Sequence, residues 1–297
     1  MSLPEQIESA MRDAIDYLAE ALTRETVETS THRAMIVVGW NRDEATRRAI
    51  ARYLVGLRAC AMDAALNIKA DLEDTEADRI EVLGNVIAVV GEDNSEDTEE
   101  KKEWKIRERN PWIAEGLWHL CLAVARHRQS DLHPPGAILA LNYAHVITSD
   151  PGLDVAAIYR VEDLIGLSLV ESKAHKNDVN KGMSEAVAYF REINEGKKHA
   201  LRIRQTVQSM RASLPPDVNS LISASFWKRA RAYLPNPHYD ASLGVDWTNS
   251  RPSLPTLMAD GVDIQVIVMP HPVQEYDEFF DRIAEEMRIF ARSLVDV

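Results

Sequence analysis

Apolar residues recur at helical spacing from about 4 to 29, in "PEQIESAMRDAIDYLAE" and beyond, and predict an opening amphipathic helix. The β-branched run "AMIVVGW" predicts a strand, and a second helical pattern extends from about 43 to 70. "NVIAVVG" reads as another strand. The polar run "EDNSEDTEEKKE", residues 92–103, has no apolar period and reads as a loop or a solvated helix start. It separates an N-terminal α/β region, 1–103, expected to regulate or to bind a partner, from residues 104–297.

After that run, Asn110 and Pro111 read as the cap and first residue of a helix over 111–127. "GAILALNYAHVIT", "DVAAIYR" and "LIGLSLVESK" predict three strands, the last two joined by a turn at Glu162 and Asp163. A helix is expected over 179–193 and more helix over 197–233, within a helical insertion of about 196–260. "VDIQVIVMP" predicts a late buried strand, and "VQEYDEFFDRIAEEMRIFARSL" a closing helix. The fold class is therefore α/β, and its second part runs helix, three strands, helix, insertion, strand, helix.

Composition adds a soluble, cytoplasmic character: 45% of the 297 residues are apolar, with no run long enough to span a bilayer. Cys60 and Cys121 fall in helix-like apolar stretches and read as reduced core residues, as do Trp104, Trp112 and Trp118. The net charge of −13 opposes nonspecific coating of nucleic acid, but it is uneven. Residues 71–103 carry thirteen acidic side chains against three basic, whereas 197–231 carry eight basic against Asp217 alone.

Candidate chemistry gathers at "LSLVESKAH". Glu-x-Lys occurs five times, but only Glu171 and Lys173 end an apolar strand, where a buried charge is costly without a partner. In a hairpin centred on Glu162 and Asp163, Asp154 is as far from the turn as Glu171 and faces it, with Cβ atoms ~5 Å apart. Glu115 sits in a helix that is apolar almost all round, on the face of Trp118 and Leu122. Two carboxylates, a lysine and a helical glutamate suit metal-assisted hydrolysis of a phosphodiester. Asp154, Glu171 and the carbonyl of Ser172 would hold Mg²⁺ or Mn²⁺, with Glu115 reaching a second ion or Lys173. Lys173 would orient a water or stabilise developing charge.

The stretch "GLDVAAIYRVEDLIGLSLVESKAH", with Asp154, Glu171 and Lys173, resembles the PD-(D/E)xK nuclease superfamily. The resemblance covers about 111–195 and the late strand near 263–270, and implies a restriction-endonuclease-like αβββαβ core. One departure is that Pro151 lies three residues before Asp154 rather than directly before it. The layout is also similar to the nuclease subunit of Hachiman-type antiphage systems, which implies a helicase or other defence-system partner. The implied activity is Mg²⁺-dependent hydrolysis of DNA in prokaryotic antiviral defence; the alternative is a catalytically silent DNA-binding or assembly subunit.

Lys197, Arg204 and Arg211 recur every seven residues on one prospective helix face, and Lys228, Arg229 and Arg231 lie close to Phe226 and Trp227. These six are the candidate DNA contacts. His175 and Lys176 read as a solvated loop. No GxxxxGK[ST], HExxH, GxSxG or paired CxxC motif is present.

Overall fold

A computed structural model describes residues 1–92, 98–128, 135–143, 153–196, 199–223 and 225–296. Its helices are α1 (Leu3–Ala21), α2 (Glu44–Arg58), α3 (Glu76–Val90), α4 (Glu99–Trp104), α5 (Asn110–Arg128), α6 (Val179–Glu195), α7 (Ala200–Ala212), α8 (Pro216–Leu221) and α9 (Tyr276–Val295). Its strands are β1 (Thr23–Glu28), β2 (Arg33–Val38), β3 (Ala137–Leu141), β4 (Val155–Val161), β5 (Leu164–Ala174), β6 (Ala230–Asp240), β7 (Asp263–Val268) and β8 (His271–Val273). The strands form one mixed sheet in the order β1-β2-β7-β6-β5-β4-β3, with β8 extending the partnership of β6. β3, β4 and β5 are an antiparallel meander, whereas β5, β6 and β7 run parallel.

Helices cover both faces of the sheet. Val155, Ala157, Tyr159 and Val170 point to one face, where α1, α2, α3, α5 and α9 pack. Ala156, Ile158, Leu167 and Leu169 point to the other, where α6 and α7 pack. This strict alternation is the period-2 geometry of a strand with both faces buried. Residues 1–92 join the same structure: β2 pairs parallel with β7, and α1 and α2 share an apolar cluster with α5 and α9. Among the described residues no helix is long and apolar enough to cross a membrane.

Several expectations change. The opening helix stops at Ala21, and 23–28 is an edge strand, mostly exposed, whose polar sequence carries little strand signal. The second helix ends at Arg58 rather than near 70. "NVIAVVG" is the end of α3, because Thr75 and Asp78 form a capping box that starts a helix and Val82, Val86, Val89 and Val90 make its buried stripe. Asn110 is helical, not a cap; α4 passes through a π-turn, Lys105–Arg109, into α5. Pro111 has no N–H for the carbonyl four residues back, and the widened turn just before it accommodates that loss. The stretch expected to be helical to 233 turns into β6 at Ala230. The strand beside β5 is thus β6, and 263–268 lies one place further out. Cys60 is exposed, in a left-handed turn after α2, and Trp104 is only half-buried; Cys121, Trp112 and Trp118 are core.

The β4–β5 hairpin turns at Glu162 and Asp163, as its symmetry predicts, with Val161 opposite Leu164. Glu162 adopts φ 51°, a left-handed conformation in which a Cβ is unfavourable. Glu162→Gly is therefore expected to stabilise the protein by up to ~1 kcal/mol after the greater chain entropy of glycine is counted, read as a higher urea midpoint. A lower midpoint would show that the glutamate side chain contributes more than the strain removes.

Candidate functional site

The meander places the acidic residues. Val155 pairs with Val170, so one further step along the same register puts Asp154 against Glu171, as the spacing from the turn predicts. Both project to the face covered by α6 and α7. The main-chain N–H of Ser172 donates to Asp154 Oδ2 at 2.7 Å and anchors that carboxylate at the mouth of the hairpin. Glu171 is 5% exposed; its Oε1 accepts from Lys173 Nζ at 2.6 Å, and its Oε2 is buried with no hydrogen-bond partner. Lys173 stands on the same face two residues on, with its Cβ against the position of Gly182 in α6.

Glu115 belongs to the same electrostatic group, although α5 packs on the other face of the sheet: it acts on Asp154, Glu171 and Lys173 together. All three carboxylates thus act on one ammonium. Burial, then Glu171 and Glu115, push the Asp154 carboxyl well above the usual range. Burial raises Glu171 as well, and Lys173 only partly offsets it. Burial works against the charge on Lys173, but Glu171, Asp154 and Glu115 outweigh it, so its pKa is raised and it remains an ammonium.

Ser172 turns its side chain to the opposite face. Its Oγ donates to Asn236 Oδ1 at 2.6 Å, so the backbone of this residue is what faces the site. Among the described residues no three His, Cys, Asp or Glu side chains are arranged as a ready-made metal cage. Two hard carboxylate oxygens beside an orphaned third are nonetheless what Mg²⁺ uses, since it keeps several waters and takes one or two protein carboxylates. The residues present fit that ion.

The reading from sequence missed two neighbours. Burial and the charges of Glu171 and Asp154 raise the pKa of Tyr189 on α6, and His199, just before α7, eases the charge on Glu171. The His199 ring lies 4.5 Å from that of Tyr189, and its Nε2 is 3.0 Å from Glu192 Oε2. Tyr189 lies off the buried stripe of α6, at Met183, Ala186, Val187 and Phe190; that is the one local signal. Nothing in the chain around His199 marks it.

The candidate DNA contacts separate. Lys197 lies outside the described residues. Arg204, Lys228 and Arg229 are exposed, and Arg211 is half-buried with its Nε on Asn219 Oδ1 at 2.8 Å. Arg231 is buried, donates to Asn194 Oδ1 and packs over the rings of Trp227 and Tyr233. It is an interior residue and offers no surface to a phosphate, and Phe226 and Trp227 are likewise core. His175 pairs with Glu185 at 2.9 Å and Lys176 with Asp277 at 2.6 Å.

The raised carboxyl pKa values fix the sign of a pH effect. Between the unfolded value of ~4 and the raised native values, the native state holds more protons than the unfolded chain. Metal-free protein should therefore lose stability as pH rises through that window and be relieved of the penalty below it. Asp154→Asn is expected to flatten this dependence and to stabilise the metal-free protein at pH 7. Thermal melts of both proteins between pH 5 and pH 8 check it; parallel curves for the two would contradict it.

No family model matches the chain, and neither a curated protein nor a solved structure matches it.

Proposed function

We propose that the chain is a metal-dependent nuclease that hydrolyses DNA phosphodiester bonds, with a restriction-endonuclease-like core formed by α5, β3, β4, β5, α6 and β6. One observation carries this reading: Asp154, Glu171 and Lys173 meet at the open end of an antiparallel hairpin, with too much negative charge for their own ammonium. The order of elements supports it, since a helix, an antiparallel meander, a second helix and a strand parallel to β5 follow one another.

Asp154 and Glu171 would hold the ion, and Glu115 would add negative charge beside it. A bound Mg²⁺ supplies Lewis-acid polarisation of the scissile phosphate and a water of lowered pKa. Lys173, kept protonated by three carboxylates, is a donor and not a base. It therefore orients the attacking water or stabilises charge on the phosphate oxygens. Glu171 Oε1 fixes the direction of that ammonium, and the N–H of Ser172 holds Asp154 against rotation. Exposed Arg204, Lys228 and Arg229 are the residues available for sequence-independent phosphate contact. A role in antiphage defence beside a helicase follows from the resemblance in layout and is part of the same proposal.

A catalytically silent DNA-binding or assembly subunit on the same fold is favoured by a separate observation. Lys173 already occupies one oxygen of Glu171, and among the described residues no three-ligand cage is formed. Metal calorimetry separates the two readings, because a silent subunit gives no Mg²⁺ or Mn²⁺ heat that depends on Asp154 and Glu171. Plasmid and linear DNA are expected to be cut by the wild type with Mg²⁺ and not with chelator. Glu171→Ala and Lys173→Ala should each lower the rate by about 10²-fold or more. Equal cleavage by wild type and both variants would overturn the proposal.

A further inference from the structure

Behind the carboxylates, on the opposite face of the sheet, lies a buried polar hub with no direct access to a substrate. His238 Nε2 accepts from the indole N–H of Trp118 at 3.1 Å. Ser172 Oγ lies 3.1 Å from the same nitrogen and Asn236 Oδ1 2.7 Å from it. On the other side of the ring, His238 Nδ1 meets His271 Nδ1 at 2.9 Å. Asn236 also donates through Nδ2 to the carbonyl of Met269. Ser172, Asn236, His238, His271 and Trp118 are all buried, and they come from β5, β6, β8 and α5.

The connectivity leads directly to the candidate site. Ser172 separates Glu171 from Lys173, and its β6 register partner is Asn236, the residue that its hydroxyl bonds. Trp118 lies one helical turn after Glu115, on the same face of α5. The hub therefore fixes both the strand that carries Glu171 and Lys173 and the helix that carries Glu115. An indole N–H can only donate, so His238 Nε2 accepts from Trp118 and the His238 proton sits on Nδ1, directed at His271; Asn236 Oδ1, itself an acceptor that takes the Ser172 hydroxyl proton, only packs against that nitrogen, and its tie to the site runs through Ser172. Burial, reinforced for His238 by His271, holds both imidazoles neutral, which is the state this chain of bonds requires.

We propose that His238 and Asn236 are positioning residues of the cation site: acting through Trp118 and Ser172, they set Glu115 and the Glu171–Lys173 pair in one rigid frame. The proposal rests on the reading of the carboxylates as a cation site. Outer partners of this type are worth 10–100-fold in metal affinity or activity when removed. A hydroxyl or an imidazole in a buried core would otherwise be a liability, and a hydrophobic residue of similar volume would pack without it.

The test compares His238→Leu, His238→Gln and Ser172→Ala with the wild type in full-length protein. Leucine removes the acceptor, whereas the glutamine carbonyl stands where Nε2 was and can still accept from Trp118. His238→Leu is expected to raise the Mg²⁺ concentration for half-maximal cleavage, and the calorimetric Mn²⁺ Kd, by 10–100-fold, with KM for DNA within about twofold of wild type. His238→Gln should recover most of that loss, and the Trp118 indole N–H signal in a nitrogen-15 spectrum should shift in the leucine variant and return in the glutamine one. Ser172→Ala, which removes one hydroxyl, gives the same direction of change if His238→Leu does not fold. Wild-type metal dependence retained by all three variants overturns the positioning role and leaves the nuclease reading standing. A wild type that neither binds Mn²⁺ nor cuts overturns both.

Discussion

The feature on which the site depends is the pairing of β4 with β5. That hairpin carries Asp154 to the side of Glu171, and the bond from the Ser172 N–H to Asp154 Oδ2 closes it at the open end. A slip of one residue would turn Asp154 to the other face of the sheet and leave Glu171 with Lys173 alone. The register creates a cost as well as a site. Burial first, and then the nearby carboxylates, raises the pKa of both strand carboxylates, and Lys173 offsets only part of that cost. A fold with no use for a cation there has a cheaper solution, an apolar side chain at either position.

The rest of the architecture keeps that cost in place. α6 and α7 cover the face on which the carboxylates stand, and α5 backs the other face and carries Glu115, whose charge reaches Asp154. β6 holds β5 on the side away from β4, and its polar hub fastens the strand between the two charged residues. Glu171, 5% exposed and bonded to Lys173, cannot relax into water, whereas Asp154 is half-buried at the mouth of the hairpin.

The hairpin was legible from sequence because its turn is symmetric and its apolar runs are unbroken: distance from Glu162 and Asp163 is enough to pair 154 with 171. Glu115 was legible because a charge on an all-round apolar helix is out of place. β6 was not, and the reason is its sequence, "ARAYLPNPHYD", which is buried on both faces and interrupted by Pro235 and Pro237. Such prolines argue against a central strand. Here the carbonyl of Pro235 accepts from Met269 N–H, so the missing amide of the same residue falls on that side, in the gap between the end of β7 and the start of β8. The ladder with β5 loses nothing. Arg231 was misread for a different reason: its charge is plain in the sequence, but its burial between Trp227 and Tyr233 depends on a strand that the sequence conceals.

The central claim is that the excess of negative charge at Asp154 and Glu171 exists to hold a hard divalent cation. Crystals of the protein grown without metal and soaked in Mn²⁺ test it most directly, through anomalous scattering. A peak bonded to oxygens of both Asp154 and Glu171 is expected at about 2.0–2.3 Å, with Glu171 Oε2, which has no hydrogen-bond partner, now a ligand. No peak at saturating Mn²⁺, with Lys173 still bonded to Glu171 Oε1, would contradict it.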